Sequence, residues 1–307
     1  MISQILLLGF SVLLPVLFWV YSPVLTKEIL GDLRIPRILH YVALAGLGMA
    51  LHLRMVDDWG SVLQSGLLPV FLLFIVALAY AAVFAIVTNN IEDLEADRIS
   101  NPERPLVGNR VPKDSYYRAG VFCQGYALLL GILVQKEMFF GVLAISVGYY
   151  IYSCPPFRLK RFPFLAKGII GFNSLAVALC GFVLAGGQLF QFPAIWIFYI
   201  VVPLSLAANF VDLKDTVGDG HTGVRTLPVL WGERKARFFI ACCTVFAYGM
   251  AGFLLSIVWV YPLLLAVTVA HIWLLYRKPY DEKPIFLVYV TALLSLDVCL
   301  FLTTQSF

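Results

Sequence analysis

Ten stretches of this chain are apolar over close to the length a helix needs to cross a bilayer, about 20 residues. They run over 4–22, 37–53, 68–88, 116–134, 138–154, 168–187, 192–211, 237–255, 257–276 and 285–304, with only short polar segments between them. The runs are continuous, which excludes a transmembrane barrel, whose strands alternate apolar and polar side chains. An all-α polytopic membrane protein follows, with no separate soluble domain. Composition agrees: 61% of the 307 residues are hydrophobic and 13% are charged, where soluble domains carry about 25% charged residues.

The charges test the span count independently. With the N-terminus outside, ten spans place 20 of the 22 Lys and Arg residues in cytoplasmic loops, leaving only Arg54 and Lys136 on the other side. That asymmetry is what the positive-inside rule requires of a correctly counted topology. The net charge of +4 therefore records orientation in a membrane, and no nucleic-acid partner is expected. The first segment, MISQILLLGFSVLLPVLFWVYS, lacks a basic n-region and a small-residue cleavage site, so it reads as a retained span rather than a signal peptide. The six cysteines show no paired spacing beyond adjacent Cys242 and Cys243, and neither a disulfide nor a zinc site is expected.

Two acidic stretches interrupt this oily pattern. NNIEDLEADRISNPERPL (89–106) closes the third run and NFVDLKDTVGDGHTGVRTLPVLWG (209–232) closes the seventh, so both emerge on the cytoplasmic side. Asn89, Asp93 and Asp97 are spaced i, i+4, i+8, which sets them on one helix face. Asp212, Asp215 and Asp219 at i, i+3, i+7 do the same. Each stretch is trailed by a basic residue and a proline, Arg104-Pro105 and Arg225-Thr226-Leu227-Pro228, and four spans separate the two, a pattern that hints at internal duplication. Carboxylates gathered without a cation repel one another. Hard cations such as Mg2+ take carboxylate and amide oxygens and share their coordination with substrate phosphates. Two such clusters can hold two or three Mg2+ with a diphosphate, and the ions offset charge on oxygens that leave as a C–O bond breaks.

A third stretch, YYIYSCPPFRLKRFP (149–163), leaves the fifth run on the same side with Tyr152, Arg158, Lys160 and Arg161. Its cations suit a diphosphate, although basic residues after a span also serve as plain topology markers. Pro155-Pro156 forbids helix continuation there, so the segment reads as a loop capping the site.

Taken together, Asn89-x3-Asp93-x3-Asp97 with Arg104-Pro105, the Tyr152 to Arg161 segment, and Asp212-x2-Asp215-x3-Asp219 followed by TLPVLWG resemble the UbiA superfamily of intramembrane prenyltransferases. The resemblance covers about residues 30–305. It implies a nine-helix barrel around a central cavity, formed by residues 26–307, with residues 1–25 an extra N-terminal transmembrane helix. It implies Mg-dependent transfer of a prenyl group from a polyprenyl diphosphate to a small or lipidic acceptor, through an allylic carbocation, at the cytoplasmic face. The implied metal ligands are Asn89, Asp93 and Asp97 for one Mg2+ and Asp212, Asp215 and Asp219 for another. Lys160 with Arg158 or Arg161, together with Arg34 and Arg104, would grip the diphosphate. Arg37 is an alternative to Arg34. Tyr152 is the aromatic best placed to face the cation. The family often has Asn-Asp where this chain has Asn89-Asn90, and Asn90 points about 100° away from Asn89 on a helix, off the ligand face.

Asp297, inside the last run, is expensive in lipid and must face the protein interior; an acceptor and a neighbouring helix such as the one bearing His271 are both open as its partner. His40 reads as structural. Two rival readings remain. A terpene cyclase of the same superfamily would use the same metals without an acceptor. A transporter is disfavoured because the carboxylates gather at one membrane face rather than at the midplane.

Overall fold

The structure, a computed structural model, describes residues 2–57, 60 and 66–302. Among these residues there is no strand. The principal helices are α1 Ile2–Tyr21, α2 Pro23–Gly31, α3 Ile35–Val56, α4 Leu67–Glu92, α5 Leu94–Ser100, α6 Lys113–Val134, α7 Lys136–Ser153, α8 Pro163–Leu184, α9 Ala194–Leu213, α10 Thr216–His221, α11 Leu227–Trp231, α12 Glu233–Leu255, α13 Val260–Tyr276 and α14 Glu282–Leu302. Each of the ten apolar runs falls on one of them; the last two residues of the final run, 303 and 304, lie outside the described residues. Eight of these helices are long and apolar enough to cross a membrane. The other two are shorter or more polar: α13 has 17 residues, and α7, with 18, opens on Lys136-Glu137 and carries three tyrosines. The protein is an integral, multi-pass membrane protein.

The chain divides into two compact units, Met1–Ile38 with Asp58–Arg158, and Leu39–Asp57 with Leu159–Phe307. In the first, α1 is mostly exposed apolar surface, as a lipid-facing helix should be, yet polar groups tie it down. Ser11 is buried, its hydroxyl bonds the Leu7 carbonyl and lies 2.8 Å from the Tyr126 hydroxyl, and Tyr80 on α4 donates to the Ser11 carbonyl at 2.8 Å. In lipid such bonds are part of what holds helices together, since burial of apolar surface drives little. A cluster of Val83, Val87, Leu106, Val111 and Tyr116 packs against Leu25, Ile29 and Leu33. It fixes α2 and the residues after it beside the polar end of α4.

Close helix contact organises the second unit. A Cβ placed on Gly48 of α3 would lie 1.8 Å from the Ala178 carbonyl oxygen of α8, and one on Gly181 of α8 would lie 1.9 Å from that of Ala45. Only hydrogen fits at either position, which lets the two backbones touch. His40 is buried and its Nε2 lies 3.1 Å from Ser174 Oγ, a bond between the same two helices. Asp297 does not reach His271: its carboxylate packs against Gly46, where a Cβ would come within 2.8 Å of Oδ2, while His271 Nδ1 lies 3.2 Å from the Tyr248 hydroxyl.

Helix ends follow local chemistry. α7 stops at Ser153 because Cys154 precedes a proline, which forces it into extended backbone (φ −101°, ψ 149°), and Pro155 and Pro156 have no N–H to donate. α9 is compound. Its middle, Ile200–Leu204, makes one π-helical turn around Pro203, whose missing N–H would break an ordinary ladder. Its end, Ala208–Leu213, tightens to a 3-10 helix.

Candidate active site

The first acidic stretch is not one unbroken helix. Asp93 sits between α4 and α5 with φ −100° and ψ 10°, where the sequence alone predicts continuation. An aspartate competes with its own backbone for hydrogen bonds and so favours such breaks. The ladder nonetheless keeps its step. Asp93 donates its N–H to the Asn89 carbonyl at 2.9 Å, Asp97 to Asp93 at 2.8 Å, and Asn101 to Asp97 at 2.8 Å. The three expected ligands therefore stand on successive turns despite the break.

The second stretch uses two helix types in succession. Asp212 lies in the 3-10 end of α9, where residues three apart eclipse one another. Asp215 then starts α10 with φ −92° and ψ 5°, and Asp219 donates its N–H to the Asp215 carbonyl at 2.8 Å. A spacing of three and then four thus matches the change of helix at Asp215. Asp93 and Asp215 occupy the same local position, each opening a short helix with a second aspartate one turn on.

Cations accompany these carboxylates within each unit. In the first, an Arg158 guanidinium nitrogen lies 3.3 Å from Asp93 Oδ1 and 3.2 Å from the Glu92 carbonyl. The Ser153 hydroxyl donates to Asn89 Oδ1 at 3.1 Å, and Tyr152, half-buried, is its neighbour at the end of α7. Arg104 is buried 3.2 Å from Asp97 Oδ2, and Asn101 donates to Asp97 Oδ1 at 2.9 Å. Burial pushes the Asp97 carboxyl up to about 6 even though the Arg104 charge opposes the shift. In the second unit, Lys167 Nζ lies 3.0 Å from Asp212 Oδ1. Lys160 is buried in a 3-10 turn, Leu159–Arg161. Arg161 is exposed, and its carbonyl accepts the Arg225 N–H at 3.3 Å.

Several partners had no signal in the sequence. Lys167 reads there as a topology marker. Asn90 is the centre of a buried network: its Nδ2 donates to Asp32 Oδ2 and, at 3.0 Å, to the Tyr116 hydroxyl, while its Oδ1 accepts from Arg104 and, at 3.3 Å, from Arg34. Tyr116 also donates to Asp32 Oδ2 at 3.2 Å. The expected diphosphate residues Arg34 and Arg104 thus meet on one amide oxygen.

Among the described residues no three His, Cys, Asp or Glu side chains form a ready cation cage. The donor set still suits Mg2+, which takes one or two carboxylates and fills its octahedron with waters and substrate phosphates. Amide and carboxylate oxygens on successive turns are hard donors of that kind. Asn89, Asp93 and Asp97 would hold such an ion in the first unit, and Asp212, Asp215 and Asp219 in the second.

Comparison with known proteins bears on this geometry. The sequence model of the UbiA prenyltransferase family matches residues 40–295. A digeranylgeranylglyceryl phosphate synthase of Methanopyrus kandleri is 31% identical over 167 residues, 53% of this chain and 57% of that protein. A chloroplastic 2-acyl-4-prenylphloroglucinol 6-prenyltransferase of Humulus lupulus is 29% identical over 67% of this chain and 49% of its own length. The chain thus spans about half the length of these curated relatives. A structure of a UbiA homologue from Archaeoglobus fulgidus bound to DMAPP and Mg2+ shares the fold with a TM-score of 0.65 and 14% identity, covering 91% of this chain and 100% of that one.

Proposed function

The chain belongs to the UbiA prenyltransferase family, and on that premise we propose that it transfers a prenyl group from a polyprenyl diphosphate to a small or lipidic acceptor. The observation that carries this reading is the repeated ladder, in which Asp93 and Asp97 in one unit and Asp215 and Asp219 in the other have the same local geometry. The archaeal homologue bound to DMAPP and Mg2+ supports a prenyl diphosphate substrate and a divalent cation. Two or more Mg2+ are expected, one for each acidic stretch. Bound Mg2+ supplies positive charge that offsets the charge developing on the leaving diphosphate.

The chain's own residues do the rest. Asn89, Asp93 and Asp97, with Asp212, Asp215 and Asp219, orient the cation-bound diphosphate. Arg158, Lys160 and Arg161 donate to its oxygens, joined by Arg34 and Arg104. Departure of diphosphate leaves an allylic cation, which the Tyr152 ring stabilises by about 0.5–2 kcal/mol and apolar surroundings keep from water. The acceptor then attacks the prenyl carbon and loses a proton. The relatives' names span an isoprenyl glyceryl phosphate and a phenolic ring, so the acceptor is stated only as small or lipidic. The site faces the cytoplasm, on the strength of the basic-loop asymmetry. Residues 26–307 form the catalytic domain, and residues 1–25 add a transmembrane helix to it.

Incubation of the protein in lipid nanodiscs with Mg2+ and geranylgeranyl or farnesyl diphosphate tests this. Diphosphate release that waits for a membrane extract, with a new prenylated adduct by mass spectrometry, is the expected result. A cyclic hydrocarbon formed without any acceptor would overturn it in favour of cyclisation.

A further inference from the structure

We propose that Asp32 and Asn90 are positioning residues for the first metal site, acting through Arg104 on Asp97. The inference rests on the prenyl-transfer reading only for the identity of the substrate. A neutral asparagine has two donors and two acceptor sites, and Asn90 uses all four. Its amide nitrogen bonds Asp32 and Tyr116, and its oxygen bonds Arg34 and Arg104. At 1% exposure water cannot replace a lost partner. The polarity of the pair is therefore fixed: position 90 must donate toward the Asp32 carboxylate and accept from two guanidinium groups. A carboxylate at 90 would face that of Asp32, and a leucine would take the shared amide oxygen from both arginines.

The network continues to the ligand. Arg104 is 3.2 Å from Asp97 Oδ2, so whatever fixes Arg104 fixes the side of the carboxylate that a cation sees. Supporting groups of this kind hold a ligating side chain in its orientation, and their loss weakens metal binding by about 10–100-fold. Asp32 lies at the C-terminus of α2, ahead of residue 40, where the match to the family begins. The segment before the matched region thus contributes to the acidic site through one carboxylate.

The test uses Mn2+ in place of Mg2+, with binding followed by electron paramagnetic resonance on the full chain in nanodiscs. Asn90→Asp sets two carboxylates face to face, whereas Asp32→Asn keeps an acceptor oxygen toward Asn90 and removes only the charge; the double exchange D32N/N90D restores a donor facing a carboxylate, with the charges swapped. We expect Asn90→Asp to bind Mn2+ about tenfold more weakly, Asp32→Asn to fall between it and the parent, and the double variant to come within about threefold of the parent. Thermal unfolding of the same samples separates folding from positioning. Single variants that lose thermal stability but keep the parent Mn2+ affinity, or a double variant as weak as the two losses combined, overturn the proposal. A parent protein that binds Mn2+ but no prenyl diphosphate overturns the functional reading and leaves this inference standing. A parent that binds no Mn2+ either alone or with geranylgeranyl diphosphate added overturns both.

Discussion

The guanidinium of Arg158 stands 3.3 Å from Oδ1 of Asp93, just past the prolines that end α7. Arg158 is held there by a left-handed backbone, φ 43°, and by its second bond to the Glu92 carbonyl. An arginine beside a cation-binding carboxylate neutralises it when the ion is absent and is available to a phosphate when the ion takes its place. Arg158→Ala should therefore raise the half-saturation concentration for prenyl diphosphate about tenfold, the equivalent of one charge-assisted hydrogen bond. Steady-state diphosphate release at varied substrate measures this, and an unchanged value with lowered kcat would argue against the role.

Asp93→Asn and Asp215→Asn remove equivalent carboxylates from the two ladders. Each should lower turnover by about two orders of magnitude, at or beyond the upper end of what even a supporting residue costs a metal site. Thermal stability should change little, because both side chains are half-buried at helix starts. If one variant retained full activity, only the other ladder would be serving the reaction.

Acid acts on Asp97. Its carboxyl titrates at about 6, against an unperturbed 3.8. A carboxylate raised by burial binds its proton more tightly folded than unfolded. Its contribution to stability is complete below about 3.8 and is lost as the pH rises through about 6. Without metal, the melting temperature should therefore rise as the pH is lowered from about 7 to about 5, and Asp97→Asn should remove that component. Metal binding runs the other way, since a protonated Asp97 is a poor ligand. Divalent-cation affinity should fall as the pH drops below about 6, and a flat profile from about 7.5 to about 5 would remove Asp97 from the ligand set.

Two substitutions in the second unit test its packing. Lys167 and Asp212 are 5% and 12% exposed, 3.0 Å apart. Lys167→Met leaves a mostly buried carboxylate without that partner and should cost about 3 kcal/mol, read by unfolding in detergent. Gly181→Ala forces a methyl to within 1.9 Å of the Ala45 carbonyl oxygen. Separating α3 from α8 at that point should cost at least as much as Lys167→Met, with yield of folded protein as a second measure.

The ten apolar runs were legible in the sequence from unbroken local composition and the two acidic ladders from local periodicity. Asn89, Asp93 and Asp97 share a face because of a four-residue step, which survives the break at Asp93. The change from 3-10 to α at Asp215 was not legible, although it accounts for the spacing of three followed by four. Partners distant in sequence were less accessible still. Nothing in the stretch around Asp32 marks it as the mate of Asn90, 58 residues on. Lys167 likewise looks like any basic residue at the end of a span until α9 brings Asp212 to it.

The π-helical turn at Ile200–Leu204 makes the length of α9 a functional quantity. One residue more than an α-helix would use is accommodated there, and the Ser205 hydroxyl reaches back five positions to the Ile200 carbonyl at 3.0 Å. Deleting a single residue from this turn would let it relax to a regular helix. Everything downstream would keep its face, because the turn already absorbs the extra residue; loss of a second residue would rotate it by about 100° and withdraw it by about 1.5 Å. Phe210 would leave the interior, and Asp212 would swing away from Lys167. Loss of one codon is therefore absorbed at this turn while loss of a second is not, and related chains can differ here by a single residue in length with the downstream helix still on the same face.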